Sequence, residues 1–116
     1  YTKKLLYPGL ESHPQFSLAA KQQLNPNGER IFGNMISFDI GSEEKRDNFL
    51  ERLEIFSLAE SLGGVESLVC VPYDMTHAAV PEESKLEMGI TKSLIRLSIG
   101  IEDCSDLIND LNSSFS

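Results

Sequence analysis

The stretch Leu94-Ile95-Arg96-Leu97-Ser98-Ile99-Gly100 constrains this chain more than any other. Ile95, Leu97 and Ile99 alternate with Leu94, Arg96 and Ser98, and successive strand residues point to opposite faces. The pattern predicts a strand over 94–99, ended by Gly100. One of its faces is wholly apolar and needs a covering layer. The other carries a guanidinium in mid-strand. An arginine there requires open water, an internal ion pair or an anionic ligand, since a charge is not buried unpaired. The ligand reading is a planar fork awaiting a carboxylate, which it can grip by two parallel hydrogen bonds.

The rest of the chain supplies the neighbours such a strand needs. Thr2 to Tyr7 reads as a strand stopped by Pro8-Gly9. Ser12, with Gln15 three residues on, reads as a capping box opening a helix through Phe16, Ala19, Ala20 and Leu24. Asn25-Pro26-Asn27-Gly28 is a turn. Ile36, Phe38 and Ile40 alternate with Ser37 and Asp39, predicting a half-buried strand over 34–40. Gly41-Ser42 starts a second helix, with Glu43 and Glu44 in the first turn, where the helix dipole favours them, and Phe49, Leu50 and Leu53 as its stripe. Ser67 to Val71 is a short apolar strand. Pro81 opens a short helix that Gly89 closes. Asp103 caps a last helix with the stripe Leu107, Ile108 and Leu111. The order strand–helix, four times over with mostly short connections, predicts an α+β fold: a small, largely antiparallel sheet with helices packed on one face.

Size and charge limit the function. With 116 residues the chain forms one domain that can bury a core without disulfides. Its net charge of −8 and the lack of a basic run argue against nucleic acid as a partner. No apolar stretch is long enough to span a bilayer, so no membrane role is expected. Cys70, inside an apolar run, and Cys104, near a helix start, read as reduced thiols of a cytoplasmic protein. They and the two histidines lack the spacing of a metal site, so no metal is expected. His13, before Pro14, helps shape its turn.

Two further segments could carry chemistry. Ser57-Leu58-Ala59-Glu60-Ser61-Leu62-Gly63-Gly64-Val65-Glu66-Ser67 combines small residues, paired glycines and two carboxylates. It is either a plain turn or a binding loop, because Gly-Gly permits positive φ and close backbone approach. A serine nucleophile at Ser61 lacks an assigned histidine base. Met75-Thr76-His77 is the other segment. A histidine in such a polar loop serves as a structural hydrogen-bonder or as a site residue.

On these segments the chain resembles the C-terminal domain of the cysteine/methionine-metabolism family of pyridoxal-phosphate enzymes. That family includes cystathionine gamma-synthase, cystathionine beta- and gamma-lyases and methionine gamma-lyase. The runs that carry the resemblance are Tyr7 to Gln15, Met35 to Phe38, Ser57 to Ser67, Met75 to Ala78, and Gly89-Ile90-Thr91 through Leu94 to Asp103, all in the family's order. The resemblance implies that Arg96 binds the substrate α-carboxylate, that Ser61 lies beside it, and that Glu60 tunes substrate choice. A glutamate there suits a distal ammonium group, as in cystathionine. Thr76 and His77 match a motif near the site. Phe16 departs from a histidine common in the family.

The resemblance also implies a longer enzyme. Its large domain would hold pyridoxal phosphate on a Schiff-base lysine, a role that Lys3, Lys4, Lys21, Lys45, Lys85 and Lys92 do not match in context. The expected organisation is residues 1–116 as the C-terminal domain of a homotetrameric transsulfuration enzyme. That enzyme would eliminate or replace at a carbon–sulfur bond of a sulfur amino acid, and the domain alone would be inactive. The face that meets the large domain is expected to be apolar and prone to self-association when bare. The competing reading is a free-standing amino-acid-binding or regulatory module.

Overall fold

The structure, a computed structural model, describes residues 2–116. The chain runs β1 (Lys4–Leu6), α1 (Phe16–Gln22), β2 (Met35–Asp39), α2 (Glu43–Arg52), β3 (Ser57–Leu58), β4 (Leu68–Cys70), α3 (Glu82–Glu87), β5 (Leu94–Ser98), α4 (Cys104–Phe115). The five strands form one sheet in the order β1-β2-β5-β4-β3. Every pairing is antiparallel except β3 with β4. The α+β architecture with a small, largely antiparallel sheet is therefore observed. The arginine-bearing strand β5 lies at its centre.

Alternation decides which face is covered. Phe38, Ile95, Leu97 and Val69 point to one side, where they form a buried cluster with Phe49 of α2, Leu107 of α4, Ile40 and Phe56. Phe38, Phe49 and Phe115 meet there ring against ring, with centroids 4.7–5.7 Å apart. Helices α2 and α4 thus form the layer over the apolar face. The helix starts read at Ser42 and Asp103 are capped. Ser42 Oγ accepts from the Lys45 N–H, and Asp103 accepts from the N–H groups of Ser105 and Asp106.

Three local readings are corrected. Ser12 does not cap α1: the helix starts at Phe16, and its N-cap, Gln15, makes no side-chain cap bond. Successive turns carry the chain from Tyr7 to Phe16 instead, and His13 Nδ1 accepts the Gln15 N–H at 3.0 Å. The stripe of α4 does not include Ile108, which is 51% exposed. Its inner face carries Leu107, Asp110 and Ser114 at helical spacing, with Leu111 and Phe115 packed against the core. Strand β3 lies where a loop was expected, since two residues are too few to show a period. Phe16 stacks on Phe32, with centroids 5.8 Å apart, so the residue that departs from the family pattern is packed.

Asp110 explains how β3 is placed. This carboxylate is buried, and accepts the N–H groups of Glu54, Ile55 and Phe56 at 2.8, 2.9 and 3.3 Å. It ties α4 to the link between α2 and β3 and satisfies three backbone donors that would otherwise be stranded.

Candidate functional site: the open face around Arg96

On the uncovered side of the sheet, Arg96 is flanked by Ser37 of β2 and Cys70 of β4. Its guanidinium is half-buried. Nη2 donates to the carbonyl of Glu60 at 3.0 Å. Among the described residues, no carboxylate forms an ion pair with Arg96. The internal ion-pair reading is thereby excluded for these residues. One donor of the fork is committed to a neutral carbonyl, and the fork has five.

The Glu60 carbonyl belongs to the segment 59–67, which leaves β3 and passes over β5. Ala59 still pairs in the sheet, its N–H donating to the Val69 carbonyl at 2.9 Å. Residues 60–66 are all exposed. Gly63 has φ +76°, a conformation that favours glycine, and its N–H donates to Ser98 Oγ at 2.8 Å. Ser61 lies in the exposed stretch beside Glu60. The segment is thus a loop bonded to the strand that carries Arg96, through the Glu60 carbonyl and the Gly63 N–H.

The second flank is the segment after β4. Cys70 is buried, and that burial raises its thiol pKa, although the Arg96 charge and hydrogen bonds from Thr76 act the other way. Thr76 therefore lies against Cys70, beside the arginine. Thr76 Oγ1 and His77 Nδ1 share a hydrogen bond of 2.7 Å, and the His77 N–H donates to the Pro72 carbonyl at 2.9 Å. The structure brings Arg96, Glu60 and Thr76 together, with Ser61 and His77 as their immediate chain neighbours. This segment is braced from α2 by buried Arg46, whose Nη1 reaches Asp74 at 3.2 Å and the Lys92 carbonyl at 2.6 Å. Sequence reasoning missed Arg46. Its signal was a cation three residues before Phe49, on the inner side of the helix.

Two surface grooves, of about 280 and 220 Å³, lie elsewhere, along α2 and α4. Neither is lined by Arg96, Glu60 or Ser61. The chemistry points instead to the face of Arg96, a cation at the sheet centre with no carboxylate ion-pair partner among the described residues. Among the described residues there is no group of His, Cys, Asp or Glu that could hold a metal ion, and no helix is long and apolar enough to cross a membrane.

The chain is similar to known proteins over nearly all of its length. The family model described as "Cys/Met metabolism PLP-dependent enzyme" matches residues 1–116. The cystathionine gamma-lyase of Bacillus subtilis (strain 168) is 55% identical over 107 residues, which are 92% of this chain and 27% of that protein. The cystathionine beta-lyase of Lactococcus lactis subsp. cremoris (strain MG1363) is 50% identical over 108 residues, 93% of this chain and 27% of that protein. The crystal structure of cystathionine gamma synthase from Xanthomonas oryzae pv. oryzae in complex with cystathionine superposes with a TM-score of 0.87 at 43% identity. It covers 98% of this chain and 28% of that one. The chain therefore spans about a quarter of the length of the curated relatives it matches.

Proposed function

The chain belongs to the Cys/Met metabolism PLP-dependent enzymes, and from that premise we propose that it forms the substrate-carboxylate-binding part of a pyridoxal-phosphate enzyme acting on cystathionine or a related sulfur amino acid. The observation that carries this reading is Arg96. It sits at mid-strand on the uncovered face, without a carboxylate partner among the described residues, and is held by one Nη to the Glu60 carbonyl.

The residues of this chain do not fit the role of holding the cofactor. Lys85 is buried, but its Nζ donates to the Tyr73 carbonyl at 2.9 Å and lies 3.9 Å from the centre of the Tyr73 ring. Lys92 pairs with Glu43. The other lysines are exposed. We therefore assign the cofactor to a large domain of the same enzyme, within a homotetrameric cytoplasmic parent. The extent of the relatives supports this, since each is more than three times the matched length. So does an apolar knob beside the site, where Leu62, Val65 and Ile101 are 53%, 65% and 81% exposed. When bound, pyridoxal phosphate supplies an electron sink for elimination or replacement at a carbon–sulfur bond.

The part played by this chain is orientation. Two parallel, charge-assisted hydrogen bonds from Arg96 would fix the substrate carboxylate, and with it the direction of the Cα substituents. Such a contact is worth about 1.5–3 kcal/mol net. The Glu60 carbonyl keeps the guanidinium from rotating, and Ser61 stands beside the bound carboxylate. Thr76 and His77 wall the other flank.

In the full-length enzyme, Arg96→Ala should lower kcat/KM at least about tenfold, and Arg96→Lys should also be costly because an ammonium lacks the fork. Near-normal kinetics in Arg96→Ala would sink the assignment. Glu60, whose carboxylate is exposed at the loop, is read as the group that favours a substrate with a distal ammonium. Glu60→Val should shift preference from cystathionine toward methionine, and an unchanged ratio of the two turnovers would rule that out.

A further inference from the structure

The carboxylate-binding reading leaves open what sets the height of the Glu60–Ser61 loop over Arg96. Residues 60–66 are exposed and lie in no helix or strand. A loop of that kind would sample many positions unless pinned, and a misplacement of about 1 Å can cost about a hundredfold in rate. Its pins all lie on β5 or just beyond it, on the same strand that carries Arg96.

The pins converge on one buried hydroxyl. Ser67, which ends the loop, is wholly buried. Its N–H donates to Glu102 Oε2 at 2.9 Å, and its Oγ donates to Glu102 Oε1 at 2.7 Å. The same Oγ accepts the Gly100 N–H at 2.8 Å. Beside it, the Ile101 N–H donates to the Val65 carbonyl at 2.9 Å. The approach is so close that a Cβ on Gly100 would collide with the Val65 carbonyl, so only glycine fits. Further along the loop, Ser98 Oγ takes the Gly63 N–H. Both Ser67 bonds favour the ionised carboxylate of Glu102 and lower its pKa from the ordinary carboxylate value.

We propose that Glu102, acting through Ser67, is a positioning residue that fixes the Glu60–Ser61 loop at the height where the Glu60 carbonyl orients the Arg96 guanidinium for a substrate carboxylate. The inference rests on the carboxylate-binding reading of Arg96. Glu102 itself touches no substrate in this scheme. Its effect runs through the loop to the guanidinium, so it should show in substrate binding and should vanish once the guanidinium is gone.

The test is a double-mutant cycle in the full-length holoenzyme, with cystathionine as substrate. Glu102→Ala should raise KM about tenfold, with a smaller change in kcat. The double variant Arg96→Ala, Glu102→Ala should be no worse than Arg96→Ala alone. A purely structural role would instead lower the amount of active enzyme and leave KM in place. An unchanged KM in folded Glu102→Ala, or losses that multiply in the double variant, would overturn the proposal. If Glu102→Ala fails to fold, Glu102→Gln keeps the length and one acceptor oxygen. It should then give a smaller KM rise with the same non-additivity, and no rise would count against the clamp. A normal KM in Arg96→Ala identifies a different failure, that of the carboxylate reading itself.

Discussion

The two faces of the sheet are built by different means. On the helix side, Phe38, Ile95, Leu97 and Val69 meet Phe49 and Leu107, and burial of apolar surface holds the layer together. On the other side, Arg96, Ser37, Cys70 and Ser98 lie across β2, β5 and β4, and the loop after β3 bonds to Arg96 and Ser98. Hydrogen bonds from backbone N–H groups to side-chain oxygens hold the loop before Ser67: Gly63 to Ser98, Gly100 to Ser67, Ser67 to Glu102. The apolar side is non-directional and tolerant of sliding. The polar side is directional, because hydrogen bonds weaken steeply as the donor angle departs from linear. Stability and positioning are thus divided between the faces of one strand, residue by residue along β5.

That division can be broken from either side. The largest expected effect on stability comes from Phe49→Ala. Phe49 is 1% exposed and its ring meets both Phe38 and Phe115. The cavity should cost about 3–5 kcal/mol, read as a drop in the urea midpoint of the chain. In the folded fraction of the full-length holoenzyme carrying the same substitution, KM should be unchanged. A selective KM rise would show that the faces are not independent. Arg96→Ala is the mirror case. It should cut catalytic efficiency while moving the urea midpoint little, because the side-chain hydrogen bond it loses among the described residues is to the carbonyl of exposed Glu60. A large fall in stability would mean that Arg96 holds the loops and not a ligand. The Glu60 and Glu102 variants sharpen the contrast on the polar side, where kinetics and not stability should carry the signal.

The same contrast explains what was legible in the sequence. Period-two alternation marks strands directly, so β2 and β5 and the placement of Arg96 opposite the apolar face could be read from residue order alone, and β4 from a short apolar run. The caps at Ser42 and Asp103 are local signals as well. The clamp was not legible. Ser67 and Glu102 are 35 residues apart, and each taken alone is an ordinary polar residue in a loop. Asp110 left a trace, since an acid three residues after Leu107 falls on the inner side of α4, but its three backbone partners lie more than fifty residues away. Ser12 misled because a capping box is a pattern of residue types, and His13 took the Gln15 N–H instead. The Arg96 fork was legible as a cation needing an anion. Which anion came from the family resemblance and not from periodicity.

The smallest effect belongs to Asp39, at the end of β2 on the open-face side. Burial raises its pKa, but the hydroxyls of Ser93 and Thr91, the N–H of Gly41 and the charge of Lys3 outweigh that, and the net pKa lies below 3.8. The hydroxyl contacts are short, both 2.7 Å. They join β2 to the segment that leads into β5, and so set the register beside Arg96. A carboxylate whose folded pKa is depressed contributes stability that is fully present above the unfolded pKa. That contribution is lost as pH falls through the folded one. Wild type should therefore exceed Asp39→Asn in urea midpoint at neutral pH. The gap should close only below pH 3.8, where the native carboxyl takes up its proton. Glu102 titrates in the same direction, so the comparison is made within the pair of chains at each pH and not across pH in one chain. A gap that stays constant into acid would assign the effect of Asp39 to shape, and its hydroxyl contacts would then carry no charge-dependent part of the open face.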